Sequence, residues 1–428
     1  MKNTNNTKQI TDSLQRHLQL KEELVSLKQS LYDQYQLPII SIQANYPGEQ
    51  KLNGWSAYTV LTFAKQIETH FTILKKQLIF NELGPLVLMI IKDDPLALKQ
   101  FAIQLENTHP LGRCVDIDVF VKDRPLSRMD YGIQERSCLV CKEIARECII
   151  TRKHSLHEVT QAFHTLLLSS LQSIEETIRF ALLSECMLTS KFGLVTPLTQ
   201  GSHHDMDIYT FIESIDTIVP YFKKVDDIDI NQSLDSIFQE LRRLGQDIEK
   251  VMFETTHGIN AHKGAIFLFL MILMAQRLPT PLTQAIKHLA QPLKDDFKSM
   301  NKNSPLTEGE RQYHQYQTLG VRGWVLNGGE PLLSQALNYY TSKPDSHHHQ
   351  VNTLLLIMSK CEDSTIIKRS GIQGLKEFQK KALEAFENPQ LWSSFESYCL
   401  KSKLSAGGAA DIFALVLYLS HSQERSLL

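Results

Sequence analysis

Several short segments of this 428-residue chain carry residue types that can bind phosphate, hold a metal ion or move a proton. In LGRCVDIDVFV, Asp116 and Asp118 stand two apart, so on a strand both carboxylates project from one face, about 7 Å apart along the backbone. Such a pair can hold magnesium, which takes oxygen ligands and keeps places for substrate phosphates. Acids on a half-exposed strand also arise for solubility alone, so both readings stay open. Upstream, NYPGEQK ends in Lys51; its Pro-Gly marks a turn that either presents Lys51 to a phosphate or is a plain surface turn.

Downstream of the acids, Arg136, Arg146 and Arg152 are candidates for phosphate contacts, with Arg113 beside Asp116. Cys138, Cys141 and Cys148 lie among them and His154 follows. One alternative is a zinc site, but the interval from Cys141 to Cys148 is unusual for ligands. In a segment of helical composition the three cysteines largely share one face, and the expectation is that they pack as small hydrophobes.

The second half has its own clusters. Gly201-Ser-His203-His204-Asp205-Met206-Asp207 precedes an apolar-periodic stretch, so its acids fall at a helix start. Asp205 or Asp207 can cap free N–H groups there, yet two histidines and two acids exceed what capping asks for, which opens a metal site or a general base. Asn260, His262, Lys263 and Gly264 crowd a second helix start, where Lys263 can pair with phosphate. Gly407-Gly408 with Asp411 opens a third; small residues there admit a ligand or a tightly packed neighbouring helix. Arg322 between two glycines, and Asp363 with Arg369, add polar groups that a helical core does not need. Clusters at several helix ends predict one polar cavity in a bundle.

The elements that must position these residues differ along the chain. Leu14 to Tyr35 reads as one amphipathic helix, and Pro85 to Ile91 and Val115 to Val121 read as strands, which makes an α/β unit. From about Ser155 helical spacing dominates, as in Ile208, Phe211, Ile212, Ile215 and Val219, so the second part is expected to be all-α. The junction falls near residues 155–175, and the boundary is set at 1–168 and 169–428. His347 to His349 is expected in a solvated loop.

Lys and Arg number 45 against 47 Asp and Glu, a formal charge of -2, so no global basic field exists to hold nucleic acid or an anionic membrane. Phosphate ligands must be held by local devices. Met1 to His17 lacks the apolar core of a secretory signal. The most apolar run, Gly264 to Ala275, is short of a bilayer crossing and reads as a buried helix. With seven cysteines and no disulfide framework, a reducing cytoplasm is expected.

Taken together, these segments resemble two enzyme families fused in one chain. The first part resembles the citrate lyase holo-acyl-carrier-protein synthases, also called apo-citrate lyase phosphoribosyl-dephospho-CoA transferases. The match runs through Asn45, Pro47, Gly48 and Lys51, Arg113 with Asp116 to Val119, Arg128, and Arg136-x-Cys138-x-x-Cys141 with Ala145, Cys148 and His154. The second part resembles triphosphoribosyl-dephospho-CoA synthases through Lys191 with Gly193 to Val195, Gly201 to Asp207, Gly258 to Asn260, His262 to Ala265, Gly320 with Arg322-Gly323, Asp363, Arg369, Gly371, and Gly407-Gly408 with Ala410-Asp411. This sequence departs from that family at Phe192 for proline, Trp324 for glutamate, Ser364-Thr365 for Thr-Asn and Ala406 for proline. Trp324 is accordingly expected outside the site.

The resemblance implies a nucleotidyltransferase-like fold for the α/β part. It also implies that the helical part joins ATP and 3'-dephospho-CoA, releasing adenine and retaining the triphosphate. The α/β part then passes phosphoribosyl-dephospho-CoA to a serine of the apo acyl-carrier γ subunit of citrate lyase, releasing diphosphate. Asp116 and Asp118 are expected to hold Mg2+ while Lys51, Arg113 and Arg136 orient the anion. Asp205 and Asp207 are expected to hold Mg2+ on the triphosphate. His203 or His204 supports proton transfer, Asn260, His262, Lys263, Arg322, Gly407 and Gly408 contact substrate, and Asp411 is a further site candidate. Rival readings are the malonate decarboxylase pathway, a helical metal-dependent phosphohydrolase, and a non-catalytic adaptor for acyl-carrier protein.

Overall fold

The computed structural model describes residues 2–122, 124–129, 132, 135–295 and 308–422; the side chains of 2–14 and 308–310 lie outside that description. The chain divides into two compact units, Met1–Leu171 and Gln172–Leu428.

The first unit runs α1 (Lys2–Tyr35), β1 (Ile39–Ala44), α2 (Gly54–His70), β2 (Ile73–Asn81), β3 (Gly84–Ile91), α3 (Pro95–Thr108), β4 (Val115–Val121), β5 (Arg124–Pro125), α4 (Ala145–Ile150) and α5 (Leu156–Ser170). Its strands form one sheet in the order β2-β3-β1-β4-β5. The described pairings are all antiparallel, so the expected mixture of strands and helices is present without the parallel crossovers of a wound α/β fold. In the central strand β1, Ser41 faces Leu88 and Asp118, and Ile40 faces Met89 and Val119. Alternation then sorts the faces. Ile39, Leu86, Leu88 and Ile90 cluster with Leu31 of α1, with Phe120 packed against them. Ile40, Ile42, Val87, Met89, Ile117 and Val119 are at most 1% exposed on the other face, where α2 and α3 pack. Asp116 and Asp118 therefore emerge on the α1 side.

The second unit contains no strand among its described residues. It comprises α6 (Ile174–Cys186), α7 (Ile208–Ile218), α8 (Leu234–Thr255), α9 (Lys263–Gln276), α10 (Leu282–Leu289), α11 (Glu308–Tyr316), α12 (Gly320–Leu326), α13 (Leu332–Thr341), α14 (His347–Met358), α15 (Ser364–Glu387), α16 (Trp392–Lys401) and α17 (Gly407–His421). α9 and α17 are apolar nearly all round, which demands burial on every side. α17 accordingly packs against α6, α9, α13 and α14. Each fully buried Leu, Ile or Phe contributes about 1.5–3 kcal/mol relative to exposure, so both helices add substantially to the core.

Two expectations need correction. His347 to His349 do not lie in a solvated loop: they open α14, where the buried His349 donates from Nε2 to Tyr340 O at 2.9 Å and His347 bonds Thr189 Oγ1 at 2.9 Å. The cysteine segment is not one helix. Cys138 N–H donates to Glu143 O at 2.6 Å and Ala145 N–H to Arg136 O at 2.9 Å, so the chain turns back on itself before the short α4 begins.

Candidate functional site

In the first unit the acids of β4 stand half-exposed, Asp116 at 52% and Asp118 at 41%, over a hydrogen-bonded edge of charged side chains. β5 pairs only with Phe120 and Val121, which leaves the earlier backbone groups of β4 open on that side. Glu106 of α3 accepts the Ile117 N–H at 2.9 Å, Lys99 of α3 donates to Ile117 O at 3.3 Å, and Arg136 donates from Nη2 to Val115 O and Gly112 O, both at 2.6 Å. Buried backbone groups must be paired, and charged side chains do here what a neighbouring strand does elsewhere.

These same groups set the electrostatics. Arg136 Nη1 lies 3.4 Å from Asp116 and 3.9 Å from the buried Glu106, which also pairs with Arg128; Lys99 Nζ lies 4.0 Å from Asp118. Burial first, then the charge of Asp118, pushes Asp116 up to about 6, against the pull of Arg136. On α1, Lys28 sits 4.0 Å over the Phe120 ring; burial lowers its pKa while the charges of Asp118 and Asp116 raise it. Lys51 and Arg113 form no ion pair with the two acids among the described residues. Burial and Lys21 lower Lys51, and burial with Arg136 and Arg128 lowers Arg113.

In the second unit the predicted polar cavity is present, with a volume of about 1090 Å³. It gathers His203, Asp205, Asn260, His262, Lys263, Arg322, Gly407, Gly408 and Asp411, but not His204 or Asp207. The loop before α7 is shaped by Gly201, at φ +57, where a Cβ would lie 2.4 Å from Leu194 O. This turn brings His203 Nε2 to 2.7 Å from Ser405 Oγ, with Asp205 3.7 Å from its other nitrogen. Burial and Arg369 push His203 below the usual histidine range. Arg369 itself donates to Lys403 O, beside the same loop.

Three helix starts meet at this cavity. Asp363 caps α15 by accepting from Thr365 and Ile366, and its second oxygen accepts the Ala409 N–H of α17 at 3.1 Å. Asp411 reaches back to the start of α9, accepting from the Ala265 N–H, and a Cβ on Gly264 would collide with it. Burial, then the charges of Glu185 and Asp363, hold Asp411 well above the usual carboxylate range. Glu185 is itself buried in a 2.5 Å pair with Lys191. His262 is buried, with Nδ1 2.8 Å from Ser214 Oγ and no partner for Nε2. Burial and Lys191 push it down to about 3, so its ring is neutral near pH 7.

Other expected site residues are engaged otherwise. Asp207 caps α7, its Oδ1 accepting from Tyr209 N, Thr210 N and Thr210 Oγ1 at 3.0 to 3.2 Å. His204 is exposed. Asn260 accepts the Lys263 N–H at 3.2 Å, and Lys263 Nζ pairs with Glu249 at 2.7 Å. Trp324, expected outside the site, lines the cavity together with Glu330. Sequence reasoning assigned no role to Lys28, Lys99, Glu106, Glu185 or Lys191; Lys191 and Asp363 stood among the resembling residues, but nothing in their spacing joins them to Asp411.

Residues 12–170 match the family described as apo-citrate lyase phosphoribosyl-dephospho-CoA transferase, and residues 171–427 match ATP:dephospho-CoA triphosphoribosyl transferase. The chain belongs to both families. Among curated relatives, "Protein CitXG" of Haemophilus influenzae is 30% identical over 445 residues, 95% of this chain and 95% of that protein. A protein of the same name from Leuconostoc mesenteroides subsp. cremoris is 29% identical over 425 residues, 89% and 91% of the two chains. The 2-(5''-triphosphoribosyl)-3'-dephosphocoenzyme-A synthase of Haemophilus ducreyi is 31% identical over 317 residues, 65% of this chain and 98% of that protein. The fused phosphoribosyl-dephospho-CoA and triphosphoribosyl transferase is thus an enzyme of citrate lyase prosthetic-group synthesis and attachment. No described helix of this transferase is long and apolar enough to cross a membrane.

Proposed function

We propose that the two activities are divided between the units, with 1–168 attaching the prosthetic group and 169–428 making its precursor. In the second unit the ribose 2'-hydroxyl of 3'-dephospho-CoA attacks the anomeric carbon of ATP, and adenine leaves with a proton. Such a glycosyl transfer passes through a cationic sugar, so the site must hold a polyanion and supply an acid. Lys263 and Arg322, both lining the cavity, hold the triphosphate. Asp411, whose pKa burial raises, gives its proton to the leaving adenine and regains one from the 2'-hydroxyl as it attacks, and His203 orients the ribose. The pair Asp205 and Asp207 does not fit magnesium, because Asp207 is engaged in capping and only Asp205 lines the cavity; no step is routed through a metal there.

In the first unit a serine hydroxyl of the apo acyl-carrier γ subunit attacks the phosphorus next to the ribose, and diphosphate leaves. Asp116 and Asp118 suit magnesium: they share one face, and their mutual repulsion, which contributes to holding Asp116 near 6, is what a divalent cation relieves. Magnesium bound there supplies Lewis-acid charge to the phosphates. Arg136 and Lys99 hold the carboxylates in place, and Lys51 and Arg113, which make no ion pair among the described residues, remain available to the anion. We read this unit as nucleotidyltransferase-like in its chemistry and the chain as cytoplasmic, in keeping with seven free cysteines.

The observation that carries the reading is the cavity in which Asp411, raised by burial, lies against the start of α9. The test is incubation of the full chain with ATP, 3'-dephospho-CoA, magnesium and apo carrier, following adenine, diphosphate and carrier mass. Adenine release with carrier gaining the prosthetic group supports it. Phosphate release without adenine would instead mark a phosphohydrolase, and carrier binding with ATP unchanged would mark an adaptor.

A further inference from the structure

The segment after Arg136 brings four soft ligand atoms to one point. The sulfurs of Cys138, Cys141 and Cys148 and a ring nitrogen of His154 all lie within 4.8 Å of one another. Cys141 Sγ stands 3.5 Å from Cys148 Sγ and 3.3 Å from His154 Nε2. A tetrahedral zinc ion, with Zn–S of about 2.3 Å and Zn–N of about 2.0–2.1 Å, sets its ligands about 3.8 Å apart between sulfurs and about 3.5 Å between sulfur and nitrogen. We propose that Cys138, Cys141, Cys148 and His154 form a structural zinc site.

The backbone around these residues is shaped for it. The Cys-x2-Cys pair lies on the tight turn closed by Ser137 and Ile144, and the Val140 N–H donates to Cys138 Sγ at 3.4 Å, a contact that stabilises a thiolate. Cys148 comes from the short α4. The chain then reverses through Arg152, at φ +51, with Lys153 N–H donating to Cys148 O at 3.0 Å, and delivers His154. Three thiolates and an imidazole form a soft, closed set suited to zinc and leave no place for a catalytic water.

Besides backbone hydrogen bonds and the Lys153–Glu143 ion pair, the segment has few apolar contacts to hold it. Val140, Ile144, Ile149 and Ile150 are 38%, 40%, 76% and 70% exposed, so these apolar residues build no local core. A stretch without a core needs a staple, and a metal tying the turn, α4 and the following loop supplies one. The stapled turn begins at Arg136, whose guanidinium donates to Val115 O and stands beside Asp116. The zinc is therefore a positioning element for the acidic face of β4. This consequence for carrier transfer rests on the activity proposed for the first unit; zinc binding itself does not.

The test uses the full chain, expressed and purified under reducing conditions without chelator. Elemental analysis is expected to give one zinc per chain, and cobalt exchange a thiolate-to-cobalt charge-transfer band. Cys141→Ser and Cys148→Ser lose the zinc and the cobalt band, whereas His154→Cys, which preserves a soft ligand, keeps both. Carrier labelling from preformed intermediate falls at least tenfold in the two serine variants and not in His154→Cys, while adenine release is unchanged in all. Should a serine variant misfold, the zinc content and cobalt spectrum of the parent chain still decide. Reduced chain that binds neither zinc nor cobalt overturns the proposal. So does a Cys141–Cys148 disulfide in the chain as isolated, or equal metal content in parent and serine variants. Loss of carrier labelling at Asp118 with zinc retained separates failure of this site from failure of the proposed activity.

Discussion

A Cβ placed on Gly264 would stand 1.9 Å from Asp411 Oδ2. The start of α9 is therefore cut to admit one carboxyl from α17, and the two residues act as a pair. Gly264→Ala must displace Asp411 or the helix start. Displacement of a reacting group by about 1 Å costs on the order of 100-fold, so adenine release is expected to fall by that much while carrier labelling from preformed intermediate persists. Equal loss of both reactions would show a folding defect instead.

Asp411 titrates well above an ordinary carboxylate because of burial and the charges of Glu185 and Asp363. As the proton donor to adenine it is active below its folded pKa, so adenine release declines as pH rises through that value. In Asp411→Asn the rate is low throughout and this alkaline limb is gone. A pH profile of adenine release measures both; an unchanged limb in the variant removes Asp411 from the role.

Asp116 keeps its proton up to about 6. Magnesium must displace that proton, so the magnesium concentration that gives half-maximal carrier transfer is expected to rise as pH falls through about 6. Ionising Asp116 disfavours the folded state, because its folded pKa exceeds the unfolded value of about 3.9; its contribution to stability is present at low pH and is lost as pH rises from about 4 to 6. Asp118→Asn removes the neighbouring charge, and carboxyl-carbon NMR is expected to show Asp116 titrating lower in that variant. Carrier labelling in Asp118→Asn is lost while adenine release continues.

Arg136 donates to two backbone carbonyls and lies near the buried Glu106. Arg136→Ala leaves those acceptors unpaired, and urea unfolding of the first unit's transition should show a loss of about 1–3 kcal/mol. Arg136→Lys restores a charge but not the fork, and is expected to recover less than half of that loss.

Asp207 serves α7 as a cap. Asp207→Ala is expected to cost about 0.5–2 kcal/mol of stability with the turnover of adenine release at saturating substrate unchanged. A hundredfold fall in turnover in a folded variant would return Asp207 to the catalytic group.

What could be read from the sequence depended on whether the signal was local. The β4 acids share a face because the period of two is built into any strand, and α9 is buried because no residue between Lys263 and Gln276 is polar. β1 was hidden because IISIQA is brief and follows Pro38, and β2 because Lys75, Lys76 and Gln77 break its apolar pattern at the sheet edge. Glu106 and Lys99 sit on a helix whose sequence gives no hint that it lies beside β4. The cysteine segment has helix-compatible residues, and only the pairing of Cys138 with Glu143 across the turn shows that it folds back. Asp363, Asp411 and Glu185 come together through tertiary packing alone.

The side chains along the outer edge of β4 also decide what that strand cannot do. An edge with free N–H and C=O groups is a template onto which any extended peptide can zip. Glu106, Lys99 and Arg136 already occupy Ile117 and Val115, so the template is blanked next to the two acids proposed to serve carrier transfer. Strand addition is thereby closed at Val115 and Ile117, and an extended peptide finds no free backbone partner there beside Asp116.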